Sequence, residues 1–134
     1  MPSLFTRIIQ GDIPCHKVAE TEDCLAFLDI NPIARGHTLV VPKKEVDAFF
    51  DLDDATMASL MIFAKRVAGA LDRCLECQRV GVMVIGTEVP HAHVHLIPFL
   101  QERQVSVTAP KLKIAPDEMA EIAALIRAAW EAGA

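Results

Sequence analysis

Three of the chain's five histidines stand at alternate positions in Pro90-His91-Ala92-His93-Val94-His95-Leu96-Ile97-Pro98. The residues between them, Ala92, Val94 and Leu96, are apolar, which is the period of a half-buried strand with imidazole on one face and core on the other. At a strand rise of about 3.3 Å per residue, neighbouring imidazoles stand roughly 6.6 Å apart. Such a row can touch several atoms of an extended ligand. Histidine titrates near neutrality, so one ring can attack as a neutral nucleophile while its neighbours donate hydrogen bonds to developing anionic oxygens. Three chemistries are open at this point. They are a polar sheet face without a role, a metal site with His-x-His ligands, and a phosphoryl or nucleotidyl site built on a nucleophilic histidine. A straight strand does not bring all three rings to one metal without a sharp lean.

The elements that must position this row are legible from caps and periodicity. Ser3 can cap a short helix with Leu4, Ile8 and Ile9 facing inward, and Gly11 can stop it. Cys15 to Glu20 and Cys24 to Ile30 read as a hairpin about Thr21-Glu22-Asp23, and His37 to Pro42 reads as a buried strand. Glu45 to Phe50 suggests a helical turn. Asp53 caps the main helix, whose apolar residues Met57, Leu60, Met61, Ala64, Val67, Ala68 and Leu71 recur at steps of three and four. Arg79 to Gly86 predicts a strand antiparallel to the histidine strand, because the link Thr87-Glu88-Val89-Pro90 is short. Gln101 to Ile114 reads as irregular, and Pro116 opens a last helix over about 116–132. Strands broken by one long helix, without βαβ alternation, predict an α+β domain on an antiparallel sheet.

At 134 residues, 52% hydrophobic and 23% charged, the chain fits one globular domain, 1–134. A formal charge of −5 with no basic block argues against nucleic acid and anionic membrane as partners, while a small anionic ligand stays allowed. No leader-like segment and no membrane-length apolar run is visible, so a cytoplasmic location is expected. Cys15, Cys24, Cys74 and Cys77 do not make a disulfide framework. Cys74-x-x-Cys77 is a weak metal or redox signal against two reduced thiols at a helix end.

The histidine row, Leu4-Phe5-x-x-Ile8-Ile9-x-Gly11-x-Ile13-Pro14, Cys24-Leu25-Ala26-Phe27-Leu28-Asp29-Ile30 and Gly36-His37-Thr38-Leu39-Val40-Val41-Pro42-Lys43-Lys44 together resemble the histidine triad (HIT) superfamily of nucleotide hydrolases and transferases. They span roughly residues 3–98. The Hint-like branch is nearest. The resemblance implies a sheet of about five strands per subunit, with one main helix and short flanking helices, continued across a two-fold homodimer. It implies a nucleotide phosphoramidase or dinucleoside polyphosphate hydrolase acting on AMP or GMP derivatives, with no cofactor.

In that reading His93 is the nucleophile that forms a nucleotidyl-histidine, His91 and His95 hold phosphate oxygens and the leaving atom, and His37 fixes a tautomer. Asp29 holds the ribose hydroxyls, with Ile30 and Asn31 beside it, and Leu4, Phe5, Ile8, Ile13, Phe27 and Leu28 wall the base. Thr87, Glu88 and Val89 stand where the family usually carries an asparagine and a Gly-Gln-Ser-like stretch, so a carboxylate lies near the expected phosphate. Ser3, Thr6 and Glu45 occupy the places from which some bacterial members ligate a structural zinc together with the first triad histidine, which implies no zinc here. The competing function is a nucleotide-binding or scaffold protein with little turnover. A metalloprotein with His-x-His ligands stands third.

Overall fold

Strand breaks and helix caps divide the chain much as the pattern predicts. The computed structural model describes residues 2–133. Ser3 Oγ accepts from Thr6 N–H at 3.0 Å and starts α1 (Leu4–Ile9). Gly11, at φ +85°, ends it: its N–H reaches Ile8 O at 3.1 Å and Asp12 N–H reaches Arg7 O at 2.9 Å. Asp53 caps α2 (Asp54–Cys74) through Thr56, and Pro116 opens α3 (Pro116–Ala132).

Five antiparallel strands, β1 (Lys17–Glu20), β2 (Cys24–Leu28), β3 (Thr38–Pro42), β4 (Arg79–Met83) and β5 (Val94–Phe99), form one sheet in the order β1-β2-β3-β5-β4. The α+β expectation holds, as does the antiparallel pairing of β4 with β5. Side-chain alternation splits the apolar residues between the two sheet faces. Along β2, Cys24, Ala26 and Leu28 join the core beneath the helices, with Leu60, Ala64, Val67 and Leu71 of α2 and Ile122 and Ile126 of α3. Leu25 and Phe27 face the other way, toward Phe5, Leu39 and Val41. Each fully buried aliphatic side chain contributes about 1.5–3 kcal/mol. Trp130 belongs to this single-chain packing: its ring lies 5.3 Å from that of Phe63, with the Arg66 guanidinium 4.3 Å above it.

The expected histidine strand is shorter than its pattern. β5 starts at Val94, and residues 91–93 are an extended lead-in. The cause is Pro42. β3 pairs with β5 as far as Val40↔Val94, and continuing that register would set Ala92 opposite Pro42, which has no N–H to give. Ala92 N–H instead donates to Val46 O at 2.7 Å. Side-chain alternation survives: Ala92, Val94 and Leu96 enter the helix-side core. β4 likewise stops at Met83, short of Gly86, and the turn expected over Glu45 to Phe50 forms as a 3-10 turn at Phe49–Asp51. Residues 101–114 are irregular apart from a 3-10 turn at Glu102–Gln104. Among the described residues no helix is long and apolar enough to cross a membrane, and all four cysteines are free thiols.

Candidate active site

The face of the sheet away from α2 and α3 gathers all of the predicted imidazoles. His91, His93 and His37 are buried and His95 is partly open. Carbonyl oxygens only accept and amides only donate, so neighbouring backbone groups fix which ring nitrogens carry protons.

His93 Nδ1 lies 2.7 Å from His91 O. It must therefore be the protonated nitrogen, which leaves the lone pair of the neutral ring on Nε2. The edge of Phe5 meets this ring at a centroid distance of 4.9 Å and holds its plane. His91 is tied at both nitrogens. Nε2 lies 2.8 Å from Pro42 O and so donates, while Nδ1 lies 2.8 Å from Ser3 Oγ and accepts. The expectation that His91 holds phosphate oxygens is corrected here. Its ring is fully buried and has no nitrogen left for a ligand, and its contribution to the row is the backbone carbonyl under His93. Burial pushes its pKa below the ordinary histidine value.

At the other end, Ile33 N–H donates to His37 Nδ1 at 3.2 Å, so the His37 proton sits on Nε2. That nitrogen lies 2.9 Å from His95 Nδ1 and donates to it, placing the His95 proton on the outer nitrogen, Nε2. His37 thus fixes the tautomer of His95. Burial first of all lowers His37 to about 3 and His95 to about 4, with His95 adding to the shift of His37 and His93 to that of His95. Both are neutral near pH 7, so the 3.6 Å approach of Asp29 Oδ2 to His37 Nε2 is no ion pair. Asp29 Oδ1 accepts from Asn31 N–H at 2.8 Å and closes a turn, and burial raises its pKa above the usual carboxylate value.

Phe5, Ile8, Phe27 and Val89 share one apolar cluster beside His93. Leu25, Leu39 and Val41, with Ile9 and Cys15 beside them, also belong to it, and the sequence reading did not place them in the wall. Leu28 is corrected out of this wall, because it sits one residue from Phe27 and so enters the core under the helices. Leu4 and Ile30 are exposed at 46% and 73%, Ile13 is half-buried, and none of the three joins the cluster. Asn31, Thr87 and Glu88 lie exposed in loops. Glu88 raises the Asp29 pKa, and Lys111 opposes it while also lowering His37 and His95. Lys111 was missed. It lies in the irregular segment that Leu112 N–H ties to Pro32 O at 2.7 Å, where no periodic signal exists.

Two groupings bear on metal. Ser3, Thr6, Glu45 and His91 do meet, but as a hydrogen-bonded cluster. Glu45 Oε1 accepts from Ser3 N–H and Thr6 Oγ1, each at 2.6 Å, and Ser3 Oγ is spent on His91. Two hydroxyls, one carboxylate and a ring whose nitrogens are both engaged do not fit the thiolate and imidazole set of a structural zinc. Asp29, His37 and His95 offer ligand atoms within 4.8 Å of one another, but the His37 Nε2 proton already joins two of those atoms. A His91-x-His93 chelate is likewise absent, since three of those four ring nitrogens face protein partners.

An antiparallel α+β sheet carrying alternating histidines over a carboxylate and an apolar wall defines a histidine-triad protein. The HIT domain model matches residues 10–102, and the chain belongs to the HIT family. It is 37% identical over 122 residues to a Schizosaccharomyces pombe protein described as adenosine 5′-monophosphoramidase hnt1, covering 89% of this chain and 91% of that one. It is 40% identical over 102 residues to the Saccharomyces cerevisiae adenosine 5′-monophosphoramidase HNT1, covering 75% of this chain and 64% of that one. A zinc-bound histidine triad family protein from Mycobacterium smegmatis superposes with a TM-score of 0.82 at 30% identity, over 96% of this chain and 93% of that one.

Proposed function

We propose that this protein is a nucleotidyl hydrolase that releases a nucleoside monophosphate from a group joined to its phosphate, with phosphoramidates as the foremost substrate class and dinucleoside polyphosphates as the second. The observation that carries this reading is the His93 Nδ1–H bond to His91 O at 2.7 Å, which presents Nε2 as an unprotonated nucleophile. The phosphoramidase names of the two yeast relatives support the leaving-group class.

In this mechanism His93 Nε2 attacks the α-phosphorus. The Nε2–P bond forms, the bond from phosphorus to the leaving group breaks, and that group departs with the electron pair and is protonated by solvent. Positive charge building on the His93 ring is held by the His91 carbonyl at Nδ1–H. His95 Nε2–H donates to a phosphate oxygen or the leaving atom, and it is pre-set to do so by His37. Water then attacks phosphorus: the O–P bond forms, the Nε2–P bond breaks with its electron pair returning to Nε2, the proton of the water passes to solvent, and the nucleotide leaves neutral His93 behind. Asp29 accepts from the ribose hydroxyls, and the Phe5, Ile8 and Phe27 cluster carries the base. The homodimer and the cytoplasmic location belong to the same reading.

One observation favours slow turnover with retained binding. The exposed Glu88 carboxylate acts on Asp29 and puts negative charge beside the phosphate position. AMP release from adenosine 5′-phosphoramidate and from diadenosine polyphosphates, measured with a chelator present, separates the two readings. Turnover that survives the chelator and disappears in His93→Ala is expected of the hydrolase. AMP binding without release from any of these substrates assigns a binding protein, and loss of activity with the chelator assigns metal chemistry.

A further inference from the structure

His91 turns both ring nitrogens into the protein: Pro42 O at the end of β3 holds Nε2, and the groups on the Nδ1 side belong to neither β5 nor its neighbours in the sheet. Ser3 at the cap of α1, Thr6 one turn on and Glu45 beyond β3 meet on its Nδ1 side. Proton placement in this cluster is determined. Glu45 Oε1 accepts from Ser3 N–H and from Thr6 Oγ1, so the Thr6 hydroxyl proton points away from the ring, although its oxygen lies 3.3 Å from Nδ1. Thr6 N–H donates to Ser3 Oγ at 3.0 Å; the Ser3 hydroxyl proton has Thr6 Oγ1 at 3.2 Å and His91 Nδ1 at 2.8 Å within reach, and because Pro42 O holds the His91 proton on Nε2, the nearer Nδ1 accepts it. His91 then has one register, Nε2–H toward Pro42 O, and its carbonyl takes the His93 proton. Thr6 and Ser3 hold Glu45 as a carboxylate, with its pKa down to about 2.

We propose that Ser3, Thr6 and Glu45 are positioning residues for the nucleotidyl reaction. They form a hydrogen-bonded clamp that fixes the ring of His91 and, through its carbonyl, the orientation and proton register of His93. The same clamp seats α1, whose Phe5 ring meets both His93 and His91, at 4.9 and 5.9 Å. One polar cluster therefore sets the nucleophile and the apolar wall beside it together. The inference rests on the hydrolase reading for its kinetic consequence, and its structural half can be read without turnover.

The test combines kinetics on adenosine 5′-phosphoramidate with long-range ¹⁵N–¹H spectra of the histidine rings in the full chain. Ser3→Ala and Glu45→Ala are expected to lower kcat about tenfold or more while KM stays within about twofold, since a displaced nucleophile loses rate before affinity. Ser3→Thr, which restores the hydroxyl, and Glu45→Gln, which restores an acceptor, are expected to recover most of kcat. In the spectra the wild type shows His91 as the Nε2–H tautomer and His93 as the Nδ1–H tautomer, and Ser3→Ala moves the His91 Nδ1 resonance to that of an unbonded ring nitrogen. Glu45 is exposed, so its variants fold even where Ser3→Ala does not. Ile126→Val, a core truncation under the helices, controls for lost stability. The proposal is overturned if kcat stays within about twofold in both alanine variants, or if Ile126→Val with the same fall in melting temperature loses as much rate. If the wild type releases no AMP, the hydrolase reading has failed, and the His91 and His93 resonances alone decide the clamp: unchanged in Ser3→Ala and Glu45→Ala, they overturn it.

Discussion

His91 and His95 occupy mirror positions about His93 in the sequence, yet the fold gives their rings opposite surroundings. His91 faces Pro42 O and Ser3 Oγ, so its hydrogen-bonding capacity is consumed inside the protein. His95 receives one bond from His37 on Nδ1 and keeps Nε2–H for the open side. Equal spacing along a strand therefore assigns a face and not a role. The end of the row that runs into Pro42 becomes framework, and the end inside the sheet, opposite Leu39 and Met83, keeps a ring N–H free of protein partners, the group that the proposed mechanism uses.

The largest break in this comparison is expected from His95→Ala. Removing the donor that the proposed mechanism aims at developing phosphate charge costs about 10²–10³ in kcat, while the melting temperature falls less than in His91→Ala, because only the His37 Nε2–H loses its partner. His91→Ala is expected to act the other way. It strips the Pro42 carbonyl of its donor and the Ser3 hydroxyl of its nearest acceptor in a dry site, costs about 1–3 kcal/mol of stability, and lowers kcat less than His95→Ala does. Urea unfolding and steady-state kinetics on the two variants measure the contrast. Equal losses of rate and equal losses of stability in both would erase it.

The face assignment was legible because side-chain alternation is a property of the strand backbone and needs no knowledge of the partner strand. The same rule excludes Leu28 from the wall that holds Phe27, and applying it along Cys24 to Leu28 would have found Leu25 on the site side. Caps were legible for a similar reason: Ser3, Gly11, Asp53 and Pro116 act on neighbours within a turn. Ring partners were not. The carbonyl that orients His91 is 49 residues away, and the hydroxyl on its other nitrogen is 88 away. Beyond the capping role of Ser3, the group Ser3, Thr6 and Glu45 could be read only as missing zinc ligands, because a hydrogen-bonded cluster assembled with His91 from three separate segments leaves no spacing to detect. Lys111 lies in a segment tied to the rest of the fold by the Leu112 N–H bond to Pro32 O and the packing of Val105 and Ala109 on Ile33, Ala34 and Ile97, again without period.

The effect smallest on rate sharpens the comparison through the pH dependence of stability. An unfolded histidine takes up a proton near 6.5, whereas folded His37 stays neutral until about 3 and folded His95 until about 4. Between those values the unfolded chain binds more protons than the folded one. Stability from this end of the row is therefore complete above pH 6.5 and falls as pH drops toward 3, by at most about 1.4 kcal/mol per pH unit for buried His37 and less for the partly open His95. At the clamped end Glu45 has the same sign in a lower window: its carboxylate is favoured by the fold, and that contribution disappears only as pH falls from 4.5 toward about 2. Urea midpoints taken from pH 7 downward should decline first in the histidine window, and His37→Gln, which cannot titrate, should flatten that first decline while leaving the lower one. A wild-type midpoint that is flat down to pH 4.5 would contradict the neutral, buried pairing of His37 with His95 and with it the assignment of Nε2–H to the working end.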